Sequence, residues 1–300
     1  MKFTEKVLSF GAGGILHGIL TEPEASQRIE GAPAVLSWNV GLHHHIGPHR
    51  FFVDMARELA HRGFTSLRFD ISGLGDSEVS RDDARPDPER AISDVRAAMS
   101  ALEAQRGFTR FVPVGFCSGV DAAHAVSVRD ERVVGVVYLE GYGFRTPGFY
   151  LHYPERFLNP NRWERLLRRR FPRLFGDVAA VEDPALARER VYIRDYPTRE
   201  RLRWDVHTMV ERGTRLLLVY VGGDTDYNYP EQFFEMIGRE TTTNIDVTFY
   251  PKADHTFFIE SDRKLALERV SSWLREHFSA PAPRQEAAHS ERLGNGAQTW

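Results

Sequence analysis

The only cysteine of the chain, Cys117, lies at the centre of the pentapeptide Gly-Phe-Cys-Ser-Gly at residues 115–119. A nucleophile between two glycines is typical of a tight turn that joins a strand to a helix, where larger neighbours would collide. The register favours Cys117 over Ser118 as the nucleophile, and the backbone N–H of Ser118 is then a donor to an oxyanion. A helix beginning here would favour the thiolate, although a lone buried cysteine can also serve only for packing.

Two segments further along the chain carry an acid and a base. Asp224 and Asp226 follow an apolar strand candidate at 215–221, and His255 follows another at 245–250. Because parallel strands end at the same edge of a sheet, these side chains are expected near the cysteine. A histidine there can take the thiol proton, while a carboxylate holds its ring in the right tautomer.

The elements that must position these residues alternate along the chain. Apolar runs predict strands at 6–10, 15–20, 34–39, 64–69, 110–114, 133–139, 215–221 and 245–250. Apolar residues at helical spacing predict helices at 51–62, 88–105, 118–128, 199–211, 230–240 and 263–278. This alternation predicts an α/β protein with a mostly parallel sheet flanked by helices.

The alternation breaks at 141–198, which is rich in aromatic residues, prolines and arginines. We interpret this stretch as a cap inserted between two parts of one core, 1–140 and 199–278, and we expect the polar tail 279–300 to be disordered. The cap contains Arg162, Arg165, Arg168, Arg169, Arg170 and Arg173. These arginines belong either to a solvated helix or to a binding surface for an acidic partner, such as an acyl carrier protein.

Composition narrows the class of protein. The 300 residues carry a formal net charge of −3, which argues against a nucleic-acid-binding or acidic-membrane-binding protein. One cysteine excludes an intrachain disulfide, and no apolar run approaches the roughly 18 residues of a membrane span. Without a signal-peptide pattern at the N-terminus, the expected location is the cytoplasm. The oligomeric state is not predicted.

Neither a metal nor a cofactor is expected from the sequence. His43, His44 and His45 are consecutive and therefore project in different directions, and no acidic or cysteine cluster stands beside them at ligand spacing. The pair Gly73 and Gly75 lacks the third glycine of a dinucleotide-binding loop. A histidine of the triplet is better placed to contact substrate at the mouth of a pocket.

Taken together, these motifs resemble those of the α/β-hydrolase fold, from about residue 3 to residue 278. The segment Phe-Asp-Ile-Ser-Gly-Leu-Gly-Asp-Ser at 69–77 is similar to the loop after the fourth strand of that family. The cysteine turn is similar to that of dienelactone hydrolases. The region 38–50 is similar to that of hydrolases associated with exosortase or polysaccharide gene clusters. The resemblance implies an enzyme that attacks carbonyl groups.

The resemblance also implies roles for particular acids. The family pattern Gly-x-x-Asp fits Gly223 to Asp226, which favours Asp226 over Asp224 as the acid of a Cys117–His255–Asp226 triad. Glu140 is a third candidate, because some hydrolases carry the acid at the end of the preceding strand.

The second oxyanion donor is expected in the loop after the third strand. The usual His-Gly pair is absent there, so the backbone N–H of Val40, Gly41 or Leu42 is a candidate, with Gly41 or Val40 favoured. Leu42, His43, Phe116 and Tyr150 are candidate substrate-pocket residues.

The expected reaction is hydrolysis or acyl transfer on an ester, lactone or thioester through an acyl-thioenzyme. A thioester intermediate reacts with amines and thiols more readily, relative to water, than an oxygen ester does, so acyl transfer or cyclisation of the kind performed by biosynthetic thioesterases competes with hydrolysis. Two alternatives stay open: a non-catalytic ligand- or partner-binding protein of the same fold, and a lyase-type enzyme that cleaves C–C bonds.

Overall fold

The computed structural model describes residues 2–80, 82–152, 196–222, 226–238 and 243–279. Most of the predicted cap, with its arginines, lies outside the described residues, as do Asp224 and almost all of the predicted tail. The cap and the tail therefore stay predictions. No described helix is long and apolar enough to cross a membrane.

One mixed sheet of eight strands forms the centre of the described structure, in the order β1-β2-β4-β3-β5-β6-β7-β8. The strands are β1 Phe3–Phe10, β2 Leu16–Pro23, β3 Ala34–Ser37, β4 Ser66–Phe69, β5 Phe111–Phe116, β6 Gly135–Leu139, β7 Arg215–Val221 and β8 Ile245–Tyr250. β2 pairs antiparallel with both β1 and β4, and every other pairing is parallel. The predicted α/β class with a mostly parallel sheet is confirmed.

Helices cover both faces of this sheet. They are α1 Phe51–His61, α2 Asp87–Arg106, α3 Gly119–Arg129, α4 Pro147–Leu151, α5 Arg199–Glu211, α6 Gln232–Ile237 and α7 Glu260–Phe278. The apolar residues of α1 and α7 pack into one hydrophobic cluster, and those of α2, α3, α5 and α6 pack into another. The short α4 contributes Phe149, which is fully buried. The sheet is therefore buried on both faces, as its apolar strands require.

Strand β6 shows how the sequence produces this layering. Val136 and Tyr138 point into the α2/α3 cluster, whereas Val137 and Leu139 point into the α1/α7 cluster. This alternation follows from the two-residue period of a strand. A strand that buries both faces reads as a continuous apolar run, which explains why the sequence shows no polar residue between Gly135 and Leu139.

The predicted boundaries differ from the observed ones by a few residues. The clearest difference is α6, which is predicted at 230–240 but spans Gln232–Ile237. Its end is set by Gly238, whose φ of 97° is accessible to glycine and costly for other residues.

Candidate active site

The turn after β5 is held tightly between the strand and α3. A Cβ on Gly115 would lie 2.6 Å from the Cα of Val120, and a Cβ on Gly119 would lie 3.0 Å from the backbone oxygen of Asn39. The two glycines of the pentapeptide are thus required by close backbone approach, as the sequence predicts.

Cys117 itself has a left-handed backbone with a φ of 51°. Residues other than glycine rarely adopt this region, and such strain concentrates at functional sites. The strain is held by a hydrogen bond of 2.8 Å from the N–H of Cys117 to the carbonyl of Leu139, the last residue of β6. The side chain is partly buried beside the α1/α7 cluster. These features place the thiol at the edge of the sheet, ahead of the first turn of α3.

His255 is carried by the loop between β8 and α7. The carboxylate of Asp254 shapes this loop, since it accepts hydrogen bonds from the N–H and hydroxyl of Thr256 and from the N–H of Phe258 at 2.7–2.9 Å. Phe257 anchors the loop, because its ring is fully buried and packs against the rings of Phe51 and Phe116. The imidazole is therefore presented by a loop that is fixed on both sides.

The structure brings together Cys117, His255 and Glu140. The Nδ1 of His255 lies 2.9 Å from the Oε2 of Glu140, and His255 also shares a hydrogen bond with the thiol of Cys117. Because Nδ1 faces the carboxylate, we infer that the other ring nitrogen, Nε2, makes the contact with sulfur. This is the geometry of a nucleophile, a base and an orienting acid.

Glu140 is a fully buried acid whose side chain and backbone are both hydrogen-bonded. Its other carboxylate oxygen accepts a hydrogen bond of 2.6 Å from the N–H of Val221, and its own N–H donates to the carbonyl of Val219 at 2.9 Å. Its backbone is also left-handed, with a φ of 57°. A buried carboxylate needs such partners because an unpaired one would be expensive to desolvate.

The contacts of His255 change its titration. The hydrogen bond with Cys117 and, next, the one with Glu140 raise the pKa of His255 to about 10, against an opposing effect of burial. The imidazolium form is therefore favoured at neutral pH. A cation beside the sulfur, together with the N-terminus of α3, favours the thiolate form of the nucleophile.

The preference for Asp226 as the acid is not supported by the geometry. Its carboxylate lies 2.8 Å from the Nε of Arg145 and is about half exposed. It thus belongs to a surface ion pair, whereas the ring nitrogen it was expected to hold faces Glu140. The acid in contact with His255 is the third candidate of the sequence analysis.

The oxyanion loop after β3 contains a contact that the sequence does not reveal. The N–H of Gly41 donates to the Oγ of Ser118 at 2.7 Å. This bond ties the loop to the turn of Cys117, and it occupies the Gly41 donor. Within the part of the chain that the structure describes, the N–H groups of Val40 and Ser118 donate to no protein acceptor. Val40 is therefore the better of the two favoured donors.

The candidate pocket residues have different environments. Leu42 and Tyr150 are 65% and 62% exposed, and His43 is also exposed. Phe116 is the exception, because its ring is buried among Phe51, Phe52 and Phe257 and offers almost no surface to a ligand. Phe116 is a core residue that packs 6.3 Å from the ring of His255.

Sequence analysis missed a buried hydrogen-bond network that holds the loops after β3 and β4. The carboxylate of Asp70 accepts from the side-chain amide of Asn39 at 2.6 Å, from the N–H and Nδ1 of His45 at 2.8 and 2.7 Å, and from the N–H of Asp76 at 3.1 Å. The signal that could have found it is that Asn39 and Asp70 both lie just after adjacent parallel strands. The network fixes the loop that carries the candidate oxyanion donor.

The pH dependence of the reaction should report the pKa of His255. Since that pKa is raised to about 10, the proton needed by a leaving group is present at neutral pH and is lost as the pH rises through that value. We expect kcat/KM to fall on the alkaline side near pH 10, and Glu140→Gln to move the fall to lower pH because one of the raising contacts is removed. Initial rates on an alkyl ester, whose alkoxide leaving group needs a proton, measure this across the pH range.

A matched control for the pH profile is His61→Gln, at the end of α1, which should leave the alkaline limb in place. An alkaline limb of the unaltered protein near the ordinary histidine pKa of about 6.5 would contradict the assignment.

Comparisons with known proteins agree with the fold. The profile described as the alpha/beta hydrolase family matches residues 16–269. The esterase domain of a Rhodothermus marinus protein superimposes with a TM-score of 0.54 at 19% identity, covering 93% of this chain and 100% of that one. An esterase of Pyrococcus furiosus gives a TM-score of 0.56 at 15% identity, covering 93% and 92% of the two chains.

A dienelactone hydrolase of Anabaena variabilis gives a TM-score of 0.54 at 16% identity, covering 93% of this chain and 99% of that one. At such identities the likeness concerns the fold alone. Among curated proteins, no sequence matched the chain. The family profile, however, spans most of the chain, and the eight-stranded sheet and strained turn agree with it. The chain therefore belongs to the alpha/beta hydrolase family.

Proposed function

We propose that the protein is a hydrolase or acyltransferase that cleaves esters, lactones or thioesters through an acyl intermediate on Cys117. The observation that carries this proposal is the contact chain from Cys117 to His255 to Glu140 at the C-terminal edge of the parallel strands. Membership of the alpha/beta hydrolase family supports the reaction class.

In the first half-reaction the Cys117 thiolate attacks the carbonyl carbon of the substrate. A C–S bond forms, and the carbonyl oxygen takes the negative charge of a tetrahedral intermediate. The N–H groups of Ser118 and Val40 are the proposed donors to this oxyanion; in related sites each such donor contributes about 3 kcal/mol. The intermediate then collapses, the bond to the leaving group breaks, and the imidazolium of His255 gives that group its proton.

In the second half-reaction an acceptor attacks the thioester. Neutral His255 takes a proton from the incoming water, thiol or amine, whose oxygen, sulfur or nitrogen forms the new bond to the acyl carbon. The C–S bond breaks, and the thiolate–imidazolium pair is regenerated. Glu140 holds the ring through Nδ1 in both halves, so that Nε2 can carry the proton in each direction.

The use of sulfur has consequences for the choice of acceptor. A thioester intermediate favours amines and thiols over water more than an oxygen ester does, so transfer or cyclisation is part of this proposal beside hydrolysis. A carrier protein as acyl donor also remains a proposal, because the arginine-rich stretch lies outside the described residues. An intact nucleophile, base and acid in contact disfavour a purely ligand-binding role.

The proposal is tested by intact-protein mass spectrometry after incubation with a panel of acyl thioesters and activated esters. We expect a mass increase of one acyl group, mapped by peptide digestion to Cys117. The ratio of free acid to amide or thioester product, measured as amine or thiol is added, separates hydrolysis from transfer.

The absence of both an adduct and turnover across the panel would count against the proposal, and an adduct on another residue would overturn the nucleophile. Cleavage of β-diketone-like substrates without ester cleavage would instead support a lyase.

A further inference from the structure

Four side chains outside the proposed triad converge beside the oxyanion loop. Ligand atoms of His44, His45, Asp70 and Asp76 all lie within 4.8 Å of one another. The histidines come from the loop after β3 and the aspartates from the loop after β4, two strands that are neighbours in the sheet. No carboxylate stands near His44 and His45 in the sequence, but the fold brings two carboxylates beside them from the loop after β4.

The distances within this cluster suit a small cation. The Nε2 of His44 lies 3.2 Å from one oxygen of Asp70 and 3.2 Å from one oxygen of Asp76, and the Nδ1 of His45 lies 2.7 Å from the same Asp70 oxygen. In a tetrahedral zinc site with bonds of about 2.0–2.1 Å, ligand atoms stand roughly 3.3 Å apart. The two 3.2 Å contacts already match this spacing, the 2.7 Å contact would lengthen by about 0.6 Å, and the ligand atoms that stand farther apart, all within 4.8 Å, would close in on the ion.

The charges of the cluster match a divalent cation. With neutral imidazoles the two carboxylates carry a charge of −2. The two imidazole rings lie close together, with their centroids 3.8 Å apart and their planes tilted by 37°. A divalent ion would neutralise both carboxylates without charging either ring.

The hydrogen bonds of Asp70 allow coordination without loss of the loop structure. One of its oxygens accepts from the amide of Asn39 and the N–H of His45, and these bonds can persist. The other oxygen faces both imidazoles, which it would exchange for the metal, and it also accepts a hydrogen bond of 3.1 Å from the N–H of Asp76, which can persist.

Two side chains of the cluster are buried and two are exposed to solvent. Asp70 and His45 are buried, with side chains 0% and 4% exposed, whereas His44 and Asp76 are 36% and 69% exposed. The buried pair sets the geometry, and the exposed pair leaves a route for an ion from solvent.

We propose that His44, His45, Asp70 and Asp76 bind a zinc ion. Imidazole nitrogens and carboxylate oxygens are both zinc ligands, and two of each would complete a tetrahedral site. The ion would cross-link the loops after β3 and β4 and thereby stiffen the segment that carries Val40. Its role is structural, since all four positions around it are filled by the protein.

The test uses the full chain with Cys117→Ala, so that the thiol cannot bind metal and the outcome does not depend on the proposed activity. After treatment with a chelator, Zn²⁺ is titrated by calorimetry and by thermal unfolding. We expect one ion per chain and a rise in Tm of roughly 5 °C or more when zinc exceeds its Kd about a hundredfold. Co²⁺ in place of Zn²⁺ should give the intense visible absorption of a four-coordinate site.

Two variants on the exposed side of the cluster keep the fold while removing ligands. His44→Gln and Asp76→Asn should each weaken zinc binding at least tenfold, because even an outer partner of a ligand is worth about 10–100-fold. His43→Gln and His49→Gln are matched controls from the same loop and should bind as tightly as the parent.

Zinc binding that survives both ligand variants, or no binding by the parent, would overturn the proposal and leave the cluster as a hydrogen-bond network alone. A weak six-coordinate cobalt spectrum would overturn the closed geometry.

Discussion

Replacing Cys117 by alanine should lower kcat/KM on an activated ester by roughly 10⁴- to 10⁶-fold, as the loss of a nucleophile does in comparable triads. The expected loss is large because the thiolate forms the bond to substrate and neighbouring groups act only through that bond. Alanine keeps the Cβ that the left-handed backbone at this position already accommodates. Turnover and the acyl adduct should disappear together while the unfolding temperature changes little.

The adjacent hydroxyl provides the matched control. Ser118→Ala removes the acceptor of the Gly41 N–H but keeps the thiol, so it should lower the rate through the oxyanion loop and still yield an adduct on Cys117. If the alanine variant at Cys117 kept full turnover, or if the adduct vanished only in the Ser118 variant, the sulfur would not be the nucleophile.

The second large effect distinguishes the two acids. Glu140→Gln should reduce kcat/KM by roughly 10²- to 10⁴-fold, because an amide at this position can hold the imidazole in the wrong tautomer. Asp226→Asn should change it less than about threefold, since the carboxylate there contacts Arg145 in a half-exposed pair of small energetic value. Steady-state kinetics of the two variants, prepared and assayed in parallel, measure the contrast.

The Glu140 variant needs a control for its stability. The carboxylate of Glu140 also accepts from the N–H of Val221, so its variant must first be shown to unfold at a temperature near that of the parent. The reverse ranking, with the Asp226 variant impaired and the Glu140 variant active, would mean that the side chains rearrange when substrate binds.

The fold can be predicted from the sequence because strands and helices each produce a characteristic spacing of apolar residues within a short segment. Apolar runs such as β6 and β7 are buried on both faces, and the helices between them show an apolar stripe at a fixed spacing. Gly115 and Gly119 indicate the tight turn around Cys117, since only the absence of a side chain permits the observed approach of the backbone. The end of α6 was misplaced because Gly238 terminates it from outside the apolar pattern.

The partners of the proposed catalytic residues depend on contacts between segments that are distant in the sequence. The sequence places Glu140 and Asp226 after two strands that are expected to end near His255. It does not indicate which of the two carboxylates points toward the imidazole. In the structure Asp226 pairs with Arg145 at the surface, whereas the buried carboxylate of Glu140 accepts a hydrogen bond from the N–H of Val221. The burial of Phe116 also depends on rings from distant parts of the chain.

Cys117 and Glu140, the two residues of the proposed triad with left-handed backbones, are linked through backbone hydrogen bonds at the ends of adjacent strands. The N–H of Cys117 donates to Leu139, the next residue is Glu140, and its N–H donates to Val219. The proposed nucleophile and acid are thus separated by one hydrogen bond and one peptide unit, just beyond the C-terminal ends of the neighbouring strands β5 and β6. The backbones of Cys117 and Glu140 cannot separate without breaking these hydrogen bonds, so we expect the motions that admit substrate or release product to belong to other loops.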